Sequence, residues 1–199
     1  MTTAKTFISD IHTMTESEKK IRADKLLWFA MSTARRPVLA VKEELESAGL
    51  TCYVAMHYQL EEKFGRKKKV LKPALNNLLF VHTRKSIIQT VKAEIKSLYY
   101  MVRPEEGHNV PIVIPDAEME QFIRVTAKYN EDFVYISPED ADLKKGTRVR
   151  VLSGPFAGSE GLFVKVKGNR NRRLVVAVDT IAAVSVEVSP KDVEVVTEP

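Results

Sequence analysis

Apolar and polar positions along the chain change period twice, and the changes divide it. Leu26 to Thr33 (Leu-Leu-Trp-Phe-Ala-Met-Ser-Thr) is a continuous apolar run of strand length. It ends at Ala34-Arg-Arg-Pro37, and Pro37 suits the first turn of a helix. Val38, Val41, Leu45 and Ala48 then recur at helical spacing while Glu43, Glu44 and Glu46 fall off the stripe, which predicts an amphipathic helix stopped by Gly49. Leu50 to Ala55 predicts a second strand. Residues 57–73 are polar and basic around Gly65, a hairpin or loop. Ala74 to His82 predicts a buried strand interrupted by the turn-forming pair Asn76-Asn77. Ser86 and Gln89 have capping-box spacing and open a helix with the stripe Ile87, Val91, Ile95 and Leu98. Tyr99 to Val102 is extended up to a turn at Pro104 to Gly107, and Val110 to Ile114 is extended again. Asp116 opens a third helix with Met119, Phe122, Ile123 and Thr126 on one side.

The order β-α-β-β-α-β predicts an α+β chain whose first unit is ferredoxin-like, with two helices on one face of a mainly antiparallel sheet. Residues 130–144 are acidic and broken by Pro138, the composition of a linker. Beyond them the period becomes two, in Thr147–Val151, Leu162–Val166, Leu174–Val178, Val184–Val188 and Val193–Val196. Five short alternating strands predict a small closed β-barrel, since closure removes open edges. The expected boundaries are a flexible tail over 1–25, the first domain over 26–129, the linker over 130–144 and the barrel over 145–199.

Composition excludes several classes. At 199 residues, 44% hydrophobic and 29% charged, the chain has an ordinary globular mix. No apolar run approaches the roughly 20 residues that span a bilayer, and the first 25 residues lack the apolar core of a signal peptide, so a cytoplasmic protein with no membrane partner is expected. A single cysteine precludes an internal disulfide and a cysteine-built zinc site. His12, His57, His82 and His108 show no ligand spacing, and there is no Ser/His/Asp grouping or phosphate-cradling glycine loop, so no catalysis, metal or cofactor is expected. The net charge of +5 is unevenly distributed: nineteen bases face ten acids over residues 1–103, two face ten over 104–142, and ten face six over 143–199. Electropositive sections either side of an acidic connector suggest a polyanionic partner. Arg66, Lys67, Lys68 and Lys69 repel one another and gain from such a partner.

The most specific local signal runs from about Lys145 to Val166. Gly154-Pro155 and Gly158 set a tight reversal, Phe156 is an apolar plug beneath it, and Gly161 lets the second strand leave close to the first. This resembles the KOW motif, an SH3-like barrel element found in ribosomal proteins and in transcription elongation factors of the NusG and Spt5 group. Upstream, Trp28-Phe-Ala-Met-Ser-Thr, the Pro37 helix ending Glu-Leu-Glu-Ser-Ala-Gly49, the basic loop, the strand ending Phe80-Val81 and Pro115-Asp-Ala-Glu-Met119 look like the NusG N-terminal domain. Over residues 26–197 the chain is similar to the NusG family, and within it to the specialised branch of RfaH and UpxY-type regulators. It departs from many members in having Leu75-Asn76-Asn77-Leu78 where they have Phe-Pro-Gly-Tyr.

The resemblance implies a monomeric, non-enzymatic transcription elongation or antitermination factor. Its N-terminal domain would bind the clamp region of bacterial RNA polymerase and suppress pausing or termination. By motif position, Trp28, Leu75, Leu78 and Phe80 would contact polymerase. Arg66 to Lys69 would reach non-template DNA, nascent RNA or an acidic polymerase surface. Phe156, Lys165, Lys167, Arg170, Arg172 and Arg173 would recruit a further partner, such as a ribosomal protein or Rho. The altered Leu-Asn-Asn-Leu segment and the N-terminal tail favour operon-specific action, on a surface-polysaccharide operon, over general elongation. A ribosome-associated KOW protein is the alternative.

Overall fold

The structure, a computed structural model, describes residues 24–75, 77–127, 134–136, 146–165, 172–178 and 181–196. The expected tail therefore lies almost wholly outside the described residues, as does most of the expected linker.

The first sheet is built around β1 (Leu26–Thr33), which pairs antiparallel with β5 (Leu78–Arg84) on one side and β6 (Leu98–Tyr100) on the other. β2 (Thr51–Tyr53) lies outside β5, giving the path β2-β5-β1-β6, the strand order of the split βαβ arrangement. β7 (Val102–Glu105) and β8 (His108–Pro111) form an antiparallel hairpin after β6, and a short β9 (Val113–Ile114) also pairs with β1, opposite Trp28 and Phe29.

β1 reads as an unbroken apolar run because both of its faces are covered. Phe29 and Met31, with Leu79 and Val81 of β5, pack on Val38, Val41 and Leu45 of α1 (Val38–Ser47) and on Ile88 of α2 (Lys85–Glu94). Trp28 and Ala30, with Leu78 and Phe80, face the other way, toward Met119, Phe122 and Val125 of α3 (Asp116–Thr126). Each such large side chain, once buried, contributes about 1.5–3 kcal/mol.

Two local expectations are corrected. The Ser86 capping box does not form: α2 begins at Lys85 with Arg84 as its N-cap and no side-chain cap, and Ser86 Oγ donates to Asp24 Oδ1 at 2.6 Å. The buried stripe of α2 accordingly starts at Ile88, while Ile87 is 43% exposed. The rest of the expected stripe holds, since Val91, Ile95 and Leu98 pack into the same cluster as Ile88. The strand expected over 74–82 starts only at Leu78 and runs on to Arg84.

The second sheet has six strands: β10 (Val134–Ile136), β11 (Thr147–Val151), β12 (Glu160–Lys165), β13 (Arg172–Val178), β14 (Ala182–Glu187) and β15 (Val193–Val195). Its path β10-β14-β13-β12-β11-β15 does not return on itself, so among the described residues the expected closed barrel is an open sheet. β10 lies inside the segment read as a linker. Ser185 ties it in, donating from Oγ to the Val134 carbonyl at 3.2 Å while accepting from Arg173 Nε at 3.1 Å.

Helix α3 joins the two sheets. Met119, Phe122 and Val125 belong to one contiguous apolar cluster with Val149, Leu174, Val176 and Val184, and Gln121 Oε1 accepts from the Glu160 backbone N–H at 3.1 Å.

Candidate functional site

The basic stretch between β2 and β5 folds as a two-stranded ribbon, β3 (Met56–Lys63) against β4 (Arg66–Pro73), paired in register from Met56↔Pro73 to Lys63↔Arg66. Its turn is Phe64-Gly65, with both residues at positive φ, 53° and 71°. That is the conformation of a two-residue hairpin turn of the primed type. Cross-strand partners share a face, so Lys63, Arg66 and Lys68 stand on one side with Glu61 and Lys72, and Tyr58, Leu60 and Leu71 stand on the other with Lys67 and Lys69. Lys72 donates to Glu61, and this bond holds the Glu61 carboxyl below its ordinary range. At the root of the ribbon, Tyr135 OH donates to the Met56 carbonyl at 3.3 Å and its ring meets His57 edge to face.

The four side chains expected to contact polymerase are close together, and three are covered. Trp28, Leu78 and Phe80 are 9%, 8% and 1% exposed, whereas Leu75 is half-buried at the rim of the same cluster. Phe80 and Phe122 meet edge to face, and the Trp28 indole stacks on His82, its cross-strand partner, with ring centroids 4.7 Å apart. His82 Nε2 lies 3.6 Å from Asp116 Oδ1 at the start of α3. The residues fall on one face as the alternation of β1 and β5 requires, and α3 caps that face.

In the β11–β12 hairpin, Gly154 and Gly158 take positive φ, and the Gly158 N–H donates to the Val151 carbonyl at 2.8 Å. Phe156 is buried beneath the loop. Gly161 is crowded by β13 rather than by β11: a Cβ there would stand 2.5 Å from the Val175 carbonyl oxygen. Of the bases expected to form a cationic cluster, Lys165 is exposed, and Lys167 and Arg170 lie outside the described residues, as does the side chain of Arg172. Arg173 is corrected outright. It is buried, donates to the Ser185 carbonyl from Nη2 at 3.1 Å and pairs with Glu187 at 3.6 Å. Its acid is one strand away, which adjacency in sequence does not reveal. Phe64, Tyr135 and Gln121 were not singled out by sequence. For Phe64 the signal was present, a two-residue Phe-Gly loop flanked by Lys63 and Arg66.

Among the described residues no group of three or more His, Cys, Asp or Glu side chains could hold a metal, and no helix is long and apolar enough to cross a membrane. What the described residues present is surface: a cationic ribbon and an apolar rim. The strand order of the first sheet defines a fold of the split-βαβ class.

Residues 26–123 match the family model described as NusG, transcription termination factor nusG. A search of curated proteins found no match. Among solved structures, one described as "Domain interaction in Thermotoga maritima NusG" is similar at 17% identity and a TM-score of 0.38, covering 87% of this chain and 98% of that one.

Proposed function

We propose that the chain is a transcription elongation or antitermination factor that binds RNA polymerase through residues 26–129. The observation that carries this is the match of residues 26–123 to the NusG family model. NusG family proteins bind RNA polymerase, and no bond chemistry is needed for the effect. A protein that binds the closed, elongating clamp better than the open one shifts that equilibrium by the difference in affinity. Leu75 is the contact residue that reaches the surface, with Trp28, Leu78 and Phe80 as the floor supporting it, and Arg66 to Lys69 carry the ribbon toward nucleic acid. The second sheet acts as a KOW domain. It recruits Rho or a ribosomal protein through the exposed Lys165 and its neighbours. The factor works in the cytoplasm as a monomer, and its action is operon-specific.

Affinity purification of the tagged chain at gentle salt tests the first step. Polymerase subunits co-purify with the wild type, and Leu75→Asp loses them while the chain stays folded with a modestly lower Tm, because a carboxylate at a half-buried rim position opposes docking on an apolar patch. Recovery of ribosomal subunits in place of polymerase would favour a ribosome-associated role. Polymerase occupancy across the genome, with and without the gene, tests the last step: a change confined to one operon supports specificity, and a global change refutes it.

A further inference from the structure

The tip of the β3–β4 ribbon breaks two rules of folding at once. Phe64 occupies the first central position of a primed hairpin turn at φ 53°, a left-handed conformation that suits Asn or Asp and that bulky side chains rarely adopt. Its ring is also 95% exposed, so the strain is not offset by burial. An outlier of this kind, held at the end of an otherwise regular ribbon, points to use of the ring by a ligand.

The surroundings specify the ligand. Lys63 and Arg66 flank the ring as a cross-strand pair, and Lys63 Nζ lies 6.0 Å from the Phe64 centroid. Lys68 follows on the same face, two residues from Arg66. Alternate residues of a strand are about 6.8 Å apart, the length of about two stacked nucleotides at about 3.4 Å each. Glu61, the acid on that face, is engaged by Lys72. The apolar side chains Tyr58, Leu60 and Leu71 fall on the opposite face. The tip therefore pairs an exposed π-surface with cations set about two stacked nucleotides apart.

We infer that Phe64 is the stacking platform of a single-stranded nucleic-acid site, on which an unpaired base rests while Lys63, Arg66 and Lys68 hold the neighbouring phosphates. The site deepens the nucleic-acid part of the function proposed above and requires no polymerase. A duplex, whose bases are already stacked on one another, offers the ring nothing comparable, so the site prefers single strands.

The two contributions separate in one experiment, the binding of the full chain to a fluorescent oligothymidylate of about 12 nucleotides across a salt series. Phe64→Asn installs Asn-Gly, the preferred pair for this turn, so its Tm stays the same or rises. Its affinity falls about tenfold with an unchanged salt slope, because stacking releases no counterions. Lys68→Ala instead reduces the slope by about 0.7. The same series on an RNA oligomer of equal length shows whether the sugar matters, with stacking predicted in both. Wild-type affinity in Phe64→Asn overturns the stacking role alone. If Lys68→Ala and Arg66→Ala also bind as wild type does, the nucleic-acid reading of the ribbon falls with it. Equal or tighter binding of duplex DNA, or of vesicles of anionic lipid, likewise overturns the inference.

Discussion

Cys52 shows how a single position on an edge strand can be silenced chemically. It lies on β2, half-buried against the α1 side of the sheet, and burial pushes its thiol up to about 12, with the Glu46 carboxylate adding to the effect and Lys42 slightly opposing it. The thiolate is the reactive species, so at neutral pH Cys52 is inert in the native protein. Iodoacetamide labelling followed by mass spectrometry should give slow modification of the folded chain and rapid modification in denaturant; fast native labelling would contradict the burial. Residue chemistry was legible in sequence only where it needed no neighbour. The exposed cations Arg66 to Lys69 were recognisable from their mutual repulsion, and the lone cysteine from its count. Arg173 was misread because its partners, Ser185 and Glu187, come from the next strand.

Among the elements, the outer face of the second sheet is tied by a carboxylate shared across strands. Glu160 of β12 accepts from Arg150 Nε at 3.0 Å and from Nη2 at 2.8 Å, and Arg150 also reaches Glu194 of β15 at 3.4 Å. These bonds hold the Glu160 carboxyl below its ordinary range, chiefly through the Arg150 hydrogen bonds, and hold the Arg150 guanidinium above its own. A group whose acidity is increased on folding stabilises the native state above its unfolded pKa of about 4.3, and that contribution is lost as pH falls through the folded value. Glu160→Gln should therefore lower Tm at about pH 7 and converge on the wild type near about pH 3; a gap independent of pH would assign the effect to packing. Element type was legible wherever the apolar period was sustained, in β1, α1 and the valine-rich strands. Element ends were not. The start of α2 was decided by where the chain leaves β5, and a capping-box spacing at Ser86 does not outweigh that.

For the whole molecule, the sharing of α3 has a thermodynamic consequence. Phe122 packs against Phe80 and Tyr53 on one side and belongs to the cluster that continues into the second sheet. Truncating a buried Phe to Ala costs about 3–5 kcal/mol. Phe122→Ala should therefore lower the denaturation midpoint seen by fluorescence of Trp28, the single tryptophan in the first sheet, together with that seen by circular dichroism of all strands. Coincident transitions report one cooperative unit; a shift in the tryptophan signal alone would show two sheets that unfold separately.

The periodic placement of apolar side chains determined by itself which segments are strands and helices, the split-βαβ order of the first sheet and the alternating strands of the second. It also exposed the cationic stretch and the glycines of the β11–β12 loop. Those are local properties, set by backbone sterics and by the spacing of side chains along one element. Tertiary structure alone decided that Trp28, Leu78 and Phe80 are covered by α3, that the second sheet takes in β10 and, among the described residues, stays open, and that Arg173 is buried. Each depends on which distant segment meets a given face, and burial, pairing and closure are properties of that meeting rather than of either segment.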